Sequence, residues 1–411
     1  MKAWKNTPLH IKIFVLLIIG CAIGFLFGER VTVLAPIGDA YIKLLKMLIV
    51  PLVFFSIISG VIKLGSPSEF GQVGSRIILF YIVTTILAAG VGVVGASLMN
   101  PGVDAQGMLG SVENVTQQEF SLASSVLSWI PENIVNSMAK MDMIPIIIFA
   151  VLFGVCIIMV GDKAKSVSDF VDAANEVMLK MTNLITDLAP YGIFFLAMQL
   201  TGTLGSKMLT VAVKFVAAVY VTLAVILLVV YPLLLKLMGR CSPIQFYRNI
   251  MPALLMAAST GSSNAALPMG FDCANKRCGV PEKIYSFSLP LGATINMNGF
   301  AAALGIIAIT ALELYNVPLS VSLIVQAVGM GLVLSIGAPG IQGTAVVMST
   351  ILFEALGLPM GMLPLIAAIW PVVNIGTTTI NVVGDHVATC VVASNLKMMD
   401  HQVFQTKNAE K

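Results

Sequence analysis

Asn374, Thr377, Thr378, Asn381 and Asp385 recur at helical spacing, placing amides, hydroxyls and one carboxylate on a single face of an otherwise apolar stretch. Asp385 is the most demanding of them. Between Lys283 and Lys397 the only charged residues are Glu313, Glu354 and Asp385, and both glutamates fall at the ends of apolar runs. Asp385 falls inside one, where an unpaired carboxylate costs at least ~2.5 kcal/mol, so it requires a cation or a proton. Asn381 reads as a ligand on the same face, against the plainer alternative of a polar seam that holds helices together. His386 points about 100° away from Asp385 on a helix and reads as a packed, hydrogen-bonded imidazole rather than a proton carrier. Tyr81, Thr84 and Thr85 form a small polar cluster that by itself reads as helix packing. Ser262, Ser263, Asp385 and His386 superficially resemble a hydrolase set. An adjacent Asp and His on one helix cannot orient each other, and no Gly-x-Ser-x-Gly elbow surrounds the serines, so an enzyme is not expected.

A self-match shows what must position these groups. Thr294-Ile295-Asn296-Met297-Asn298-Gly299 parallels Thr379-Ile380-Asn381-Val382-Val383-Gly384, 85 positions later. Each copy follows an apolar segment broken by Gly, Ser, Asn and Pro. The first broken segment spans 242–275, with Thr260 to Pro268 at its tip; the second spans 318–356, with Ser335 to Thr344 at its tip. In hydrocarbon every backbone N–H and C=O needs a partner, so non-helical backbone survives only within protein or beside a water-filled cavity. Gly and Ser allow a re-entrant hairpin to turn, and its helix N-termini favour a carboxylate. An interrupted helix at each hexapeptide would free carbonyl oxygens, which are hard ligands for a small cation. A repeated unit of hairpin plus interrupted helix marks a secondary transporter with its site at mid-membrane.

The composition agrees. Of 411 residues 58% are hydrophobic and 10% charged, against roughly 25% charged in a typical soluble protein; the chain must lie mostly in lipid. Spanning stretches fall near 11–28, 43–64, 77–99, 142–161, 177–202, 208–238, 281–314 and 361–396. The expected fold is an all-α polytopic membrane protein with eight spans, two re-entrant helical hairpins and inverted repeats, forming a single membrane domain over 1–411. Lys2, Lys5 and Lys12 precede the first apolar run without a small-x-small cleavage site, so it reads as an uncleaved span. If the spans alternate, Arg76, Lys163, Lys165, Lys236, Arg240, Arg248, Lys276, Arg277, Lys283 and Lys397 share one side, and both termini are cytoplasmic. The segment 100–139, with four acidic residues and no Lys or Arg, belongs outside. Lys43 and Lys46 sit near the outer end of span two and snorkel to the headgroups. Short loops and no long extension fit a bacterial inner membrane. A net charge of +3 without a basic block excludes nucleic acid as a partner. Six scattered cysteines show neither a disulfide framework nor a complete zinc set, and read as free thiols.

Ser288 to Gly299, Gly261 to Pro268 and Asn381 to Asp385 resemble the dicarboxylate/amino acid:cation symporters, which include glutamate transporters and neutral amino acid exchangers. The resemblance covers the whole chain. It implies a bowl-shaped homotrimer with a scaffold part near 30–65 and 142–238 and a transport part near 77–99 and 242–396. Substrate would sit between the hairpin tips and spans seven and eight, against Ser262, Ser263, Asn264, Phe300, Ala338, Gly340, Gly343, Asn374, Thr377, Thr378 and Asn381. Sodium would be the co-transported cation, with a proton as the alternative and no resident cofactor. One implied site uses Gly292, Asn296, Asn381 and Asp385; a second uses Thr294, Ser335 and Ile336; a third uses Tyr81, Thr84, Thr85, Asn296 and Asn298.

The chain departs from the acidic amino acid carriers of that family at several places. Asn298 stands where members with the third site usually have Asp, which removes a Coulomb partner for a cation. Thr377 replaces the Arg that holds a substrate side-chain carboxylate, Phe300 replaces a Thr that touches it, and Gly261 stands where some members place an Arg. Asn374 replaces the Asp that holds the substrate ammonium; its amide oxygen still accepts, without full charge. The expected function is cation-coupled symport of a small neutral amino acid. The alternatives are a small carboxylate lacking an amino group, or an uncoupled exchanger or channel.

Overall fold

The computed structural model describes residues 7, 9–63, 67–110, 130–141, 143–336, 338 and 344–405. All regular structure among them is helical. Helix α1 (Leu9–Phe27) leads through a short 3-10 turn into α2 (Ala35–Lys63), and α3 (Pro67–Met99) follows. Farther along come α4 (Ile134–Lys140), α5 (Met143–Val160), α6 (Lys165–Thr186), α7 (Ala189–Val225) and α8 (Tyr231–Leu237). Five stretches among the described residues are long and apolar enough to cross a membrane: Ile11–Leu44, Val73–Met99, Lys207–Leu237, Glu282–Leu314 and Met360–Asn395.

The expected fifth span, 177–202, straddles a helix junction. Helix α6 ends at Thr186, and α7 begins at Ala189 with Pro190 in its first turn, where a missing N–H is harmless. Helix α6 also carries a polar face, where Asp172 and Asn175 accept hydrogen bonds from Ser59 (2.5 Å) and Ser56 (2.8 Å) of α2. Helix α7 is in turn broken at Gly205 (φ 62°, ψ −153°), backbone open essentially to glycine alone.

Both broken segments fold as helical hairpins. The first pairs α9 (Pro243–Thr260) with α10 (Ser263–Asp272); Gly261 turns the chain at φ 59°, and Ser262 caps α10. The second pairs α13 (Val321–Ile336) with α14 (Thr344–Ala355). Between them run α11 (Glu282–Ile295) and α12 (Asn298–Leu314), and α15 (Leu363–Asn395) and the short α16 (His401–Gln405) follow. Helix α12 is buried almost all round, as a helix at the centre of a bundle must be. Small residues bring α3 against it: a Cβ at Gly92 would press on Ala302 O and lie 2.8 Å from Ala302 Cα, and one at Gly305 2.8 Å from Ala89 O. Close backbone approach through Gly and Ala is how helices associate where lipid provides no hydrophobic drive. Outside this core, Asp104 of the 100–139 segment pairs with Lys214 on an exposed surface; Glu113 and Glu119 lie outside the described residues.

Candidate functional site

The two hexapeptides meet at the centre of the molecule but adopt different backbones. In the first, the helix is interrupted: Asn296 (φ −100°, ψ 73°) and Met297 (φ −100°, ψ 53°) leave helical geometry between α11 and α12. The second copy, expected to be interrupted too, lies within the unbroken α15. Its side chains serve the broken copy instead. Asn381 Oδ1 accepts from the backbone N–H of Gly299 at 2.8 Å, and Asn381 Nδ2 donates to Met297 Sδ at 3.1 Å. Gly299 fits because a Cβ there would strike the backbone of Thr377, 2.8 Å from its Cα.

Asp385, 3% exposed, accepts from Asn296 Nδ2 at 2.7 Å. Asn296 is fully buried, and its own Oδ1 has no hydrogen-bond partner among the described residues. A lone buried acceptor costs about 1–3 kcal/mol. Gly292 makes room beside the carboxylate: a Cβ there would press on Asp385 Oδ1 and lie 2.6 Å from Tyr81 Oη. Behind Asp385, Thr389 Oγ1 donates to the Asp385 carbonyl (2.7 Å) and pairs with Ser288 Oγ (2.7 Å). The donor set is thus a carboxylate, an amide oxygen and nearby interrupted backbone. It suits a small hard cation, and the orphaned Asn296 oxygen is the group such a cation would satisfy.

The first hairpin tip is tied to the same long helix. The carbonyl of Gly261 accepts from Asn374 Nδ2 (3.1 Å) and Thr378 Oγ1 (3.4 Å). Ser262 Oγ accepts from Ala265 N–H (3.4 Å), Ser263 is buried in the first turn of α10, and Asn264 is exposed. Thr377 Oγ1 donates to Asn374 O in its own helix (3.2 Å). Phe300 meets the Trp370 ring edge-on at 5.5 Å, so an aromatic pair stands one turn from Asn374. Ala338 is buried in the second tip, whereas Gly340 and Gly343 lie outside the described residues.

Of the remaining residues, Tyr81 lies beside Asp385 and Thr85 beside Asn298, and the other hydroxyls bond within their own helices. Thr294 Oγ1 donates to Pro290 O (2.8 Å) and Ser335 Oγ to Leu332 O (2.9 Å), each back into its own helix, and Ile336 is half-buried. Tyr81 Oη donates to Ser288 O (2.8 Å), and Thr84 Oγ1 to Phe80 O (2.9 Å). Thr85 alone of that trio reaches Asn298, donating to its Oδ1 at 2.9 Å. His386 faces away from Asp385, with Nδ1 2.8 Å from Val382 O and Nε2 3.3 Å from Gly270 O. Tyr231, Ser288, Thr389 and Trp370 escaped the sequence reading. A single Tyr, Ser, Thr or Trp in an apolar run carries no spacing signal; their membership is set by which helices meet.

The sequence profile of the sodium:dicarboxylate symporter family matches residues 9–395. A proton/sodium-glutamate symport protein of Geobacillus stearothermophilus is 30% identical over 405 residues, 95% of this chain and 94% of that one. A proton/glutamate-aspartate symporter of Bacillus subtilis (strain 168) is 31% identical over 93% of each chain. A C4-dicarboxylate transport protein of the same organism is 28% identical over 97% of this chain and 96% of that one. With an interrupted helix, a buried carboxylate and a family match over nearly its full length, the chain belongs to the sodium:dicarboxylate symporter family and is a membrane transporter rather than an enzyme.

Proposed function

We propose that this transporter couples a small neutral amino acid to a small cation, with Asp385 and Asn296 holding the cation and sodium as the first candidate ion. The observation that carries the coupling is the unpartnered Asn296 Oδ1 beside the Asp385 carboxylate, both buried. The relatives are named for glutamate, for glutamate and aspartate, and for C4-dicarboxylates. In this chain no Lys or Arg occurs at 249–275 or 284–396, so neither hairpin tip nor span seven or eight offers a cationic partner for a second carboxylate. A buried carboxylate without such a partner is strongly disfavoured. One carboxylate suits the N-terminus of α10, and Phe300 with Trp370 supplies an apolar wall. Asn374 Nδ2 is used on Gly261 O, and its Oδ1, approached by Thr378 Oγ1 only at 3.5 Å, keeps a lone pair for an ammonium. Cation and substrate need only each favour the closed second hairpin for coupling to follow. The working assembly is a homotrimer in the bacterial cytoplasmic membrane with both termini inside.

The test is the melting temperature of the purified protein against neutral amino acids, acidic amino acids and small monocarboxylates. Each is run in sodium chloride and in choline chloride at matched ionic strength, since a ligand of the folded state raises the midpoint. Sodium-dependent stabilisation by a neutral amino acid is expected. Stabilisation by carboxylates without an amino group, and by no amino acid, would favour the second reading, which the uncharged Asn374 supports.

A further inference from the structure

Span six contains an irregularity that no transport role has yet used. Between α7 and α8, Ile226–Val230 forms a π-turn, the kind of single-turn bulge that recurs at functional sites. Tyr247 Oη donates to the carbonyl of Leu227 within it. Tyr231, the next residue, is 1% exposed and aims its hydroxyl between α12 and α15. There Tyr231 Oη donates to Ile380 O at 3.0 Å and accepts from Asn298 Nδ2 at 3.0 Å, while Asn298 Oδ1 accepts from Thr85 Oγ1 at 2.9 Å. Gly384 leaves the space: a Cβ there would lie 2.6 Å from Tyr231 Oη and 2.9 Å from the amide nitrogens of both Asn296 and Asn298.

The direction of this chain follows from its contacts. Tyr231 Oη gives its single proton to the Ile380 carbonyl, which can only accept, and the phenol oxygen accepts from Asn298. Asn298 therefore presents its NH2 to Tyr231 and its oxygen to Thr85, which must donate. Every member is paired, and none has spare negative charge. We propose that Tyr231 fixes Asn298 as a donor, so that Tyr231, Asn298 and Thr85 form a closed hydrogen-bond junction and not a cation site. A carboxylate at position 298 would have no N–H to give the phenol oxygen; with the phenol turned to donate it gains one hydrogen bond, and without the phenol it is left to a bound cation or proton. Tyr231 is thus a positioning residue acting through Asn298, and its readout is the number of cations gained once position 298 carries a carboxylate, with and without the phenol. The proposal rests on the cation-coupled reading above.

The experiment measures the melting temperature of the full-length purified protein as sodium chloride replaces choline chloride at constant ionic strength, for wild type, Tyr231→Phe, Asn298→Asp and the double variant. Tyr231→Phe should melt lower at every sodium concentration with the wild-type sodium dependence, because it strands the Asn298 NH2 without removing a cation site. Asn298→Asp, and more so the double variant, should gain about one additional sodium ion in the slope of stability against log sodium concentration. A Tyr231→Phe protein that loses sodium dependence would overturn the proposal, since the native cluster would then hold a cation. So would carboxylate variants that fold and show the wild-type slope. If the wild type shows no sodium dependence at all, the sodium-coupled reading fails, while the gain in Asn298→Asp still decides this one.

Discussion

At the scale of single residues, the site is organised by one carboxylate that lipid cannot tolerate alone. Asp385→Asn keeps the shape and the Asn296 contact but removes the charge that would hold a cation. We expect sodium-dependent stabilisation to vanish and uptake to fall below detection. Losing one partner of a buried charge interaction costs on the order of 2–5 kcal/mol, at least about 30-fold in affinity. Protein that remains folded, checked by size-exclusion and helical circular dichroism, but keeps its sodium response would remove Asp385 from the cation site. Asp385, Asn381 and Asn374 were legible in the sequence because charge and amides are costly in hydrocarbon and stand out there. Tyr231 was not, because a phenol is ordinary in a membrane helix and only the bulge before it turns it inward.

At the scale of elements, the hexapeptide repeat identified the two spans that meet but not their backbones. The first copy breaks at Asn296–Met297, and Asn381 from the second copy accepts from the Gly299 N–H that the break leaves without a helical partner. The second copy has buried valines at 382 and 383 and keeps its helical bonds. That asymmetry depends on a contact between distant segments, which a repeat cannot display. Likewise, hydropathy merged the end of α6 with the start of α7, because both sides of the Asp187–Leu188 turn are apolar enough to pass as one span. Glycines test the packing directly. Gly384→Ala would drive a Cβ into the Tyr231 hydroxyl and two amide nitrogens, with a loss of about 1–3 kcal/mol. Gly90→Ala, on helix α3 with nothing within 4 Å of the added carbon, should be neutral or stabilising by up to about 1 kcal/mol. Chemical denaturation of the two variants side by side checks the contrast; a Gly384→Ala protein as stable as Gly90→Ala would mean helix propensity, not the Tyr231 junction, governs both.

At the scale of the whole molecule, the question is which helices move together. The sequence resemblance drew the boundary after span six, assigning 142–238 to the scaffold. The buried contacts argue for a different line, and we place it within α7. Before Gly205, α7 packs on α1: a Cβ at Gly20 would lie 2.5 Å from Phe194 O, and Thr201 Oγ1 donates to Cys21 O at 3.1 Å. After Gly205, the chain packs on α15 instead, with Tyr220 Oη donating to Val372 O (2.7 Å) and Tyr231 Oη to Ile380 O (3.0 Å). Sliding span six along span eight would break two hydrogen bonds, that of Tyr231 buried, which membrane interior cannot replace, whereas a pivot at Gly205 breaks none of these. Gly95 on α3 and Thr222 on α7 provide the test, since a Cβ at Gly95 would lie 3.5 Å from Thr222 Cβ, within disulfide range. Oxidising a Gly95→Cys, Thr222→Cys double variant joins span three to span six. If both travel with the transport part, uptake into proteoliposomes should be the same before and after oxidation. If span six is fixed while span three moves, oxidation should abolish uptake and a reductant should restore it, returning the boundary to residue 238.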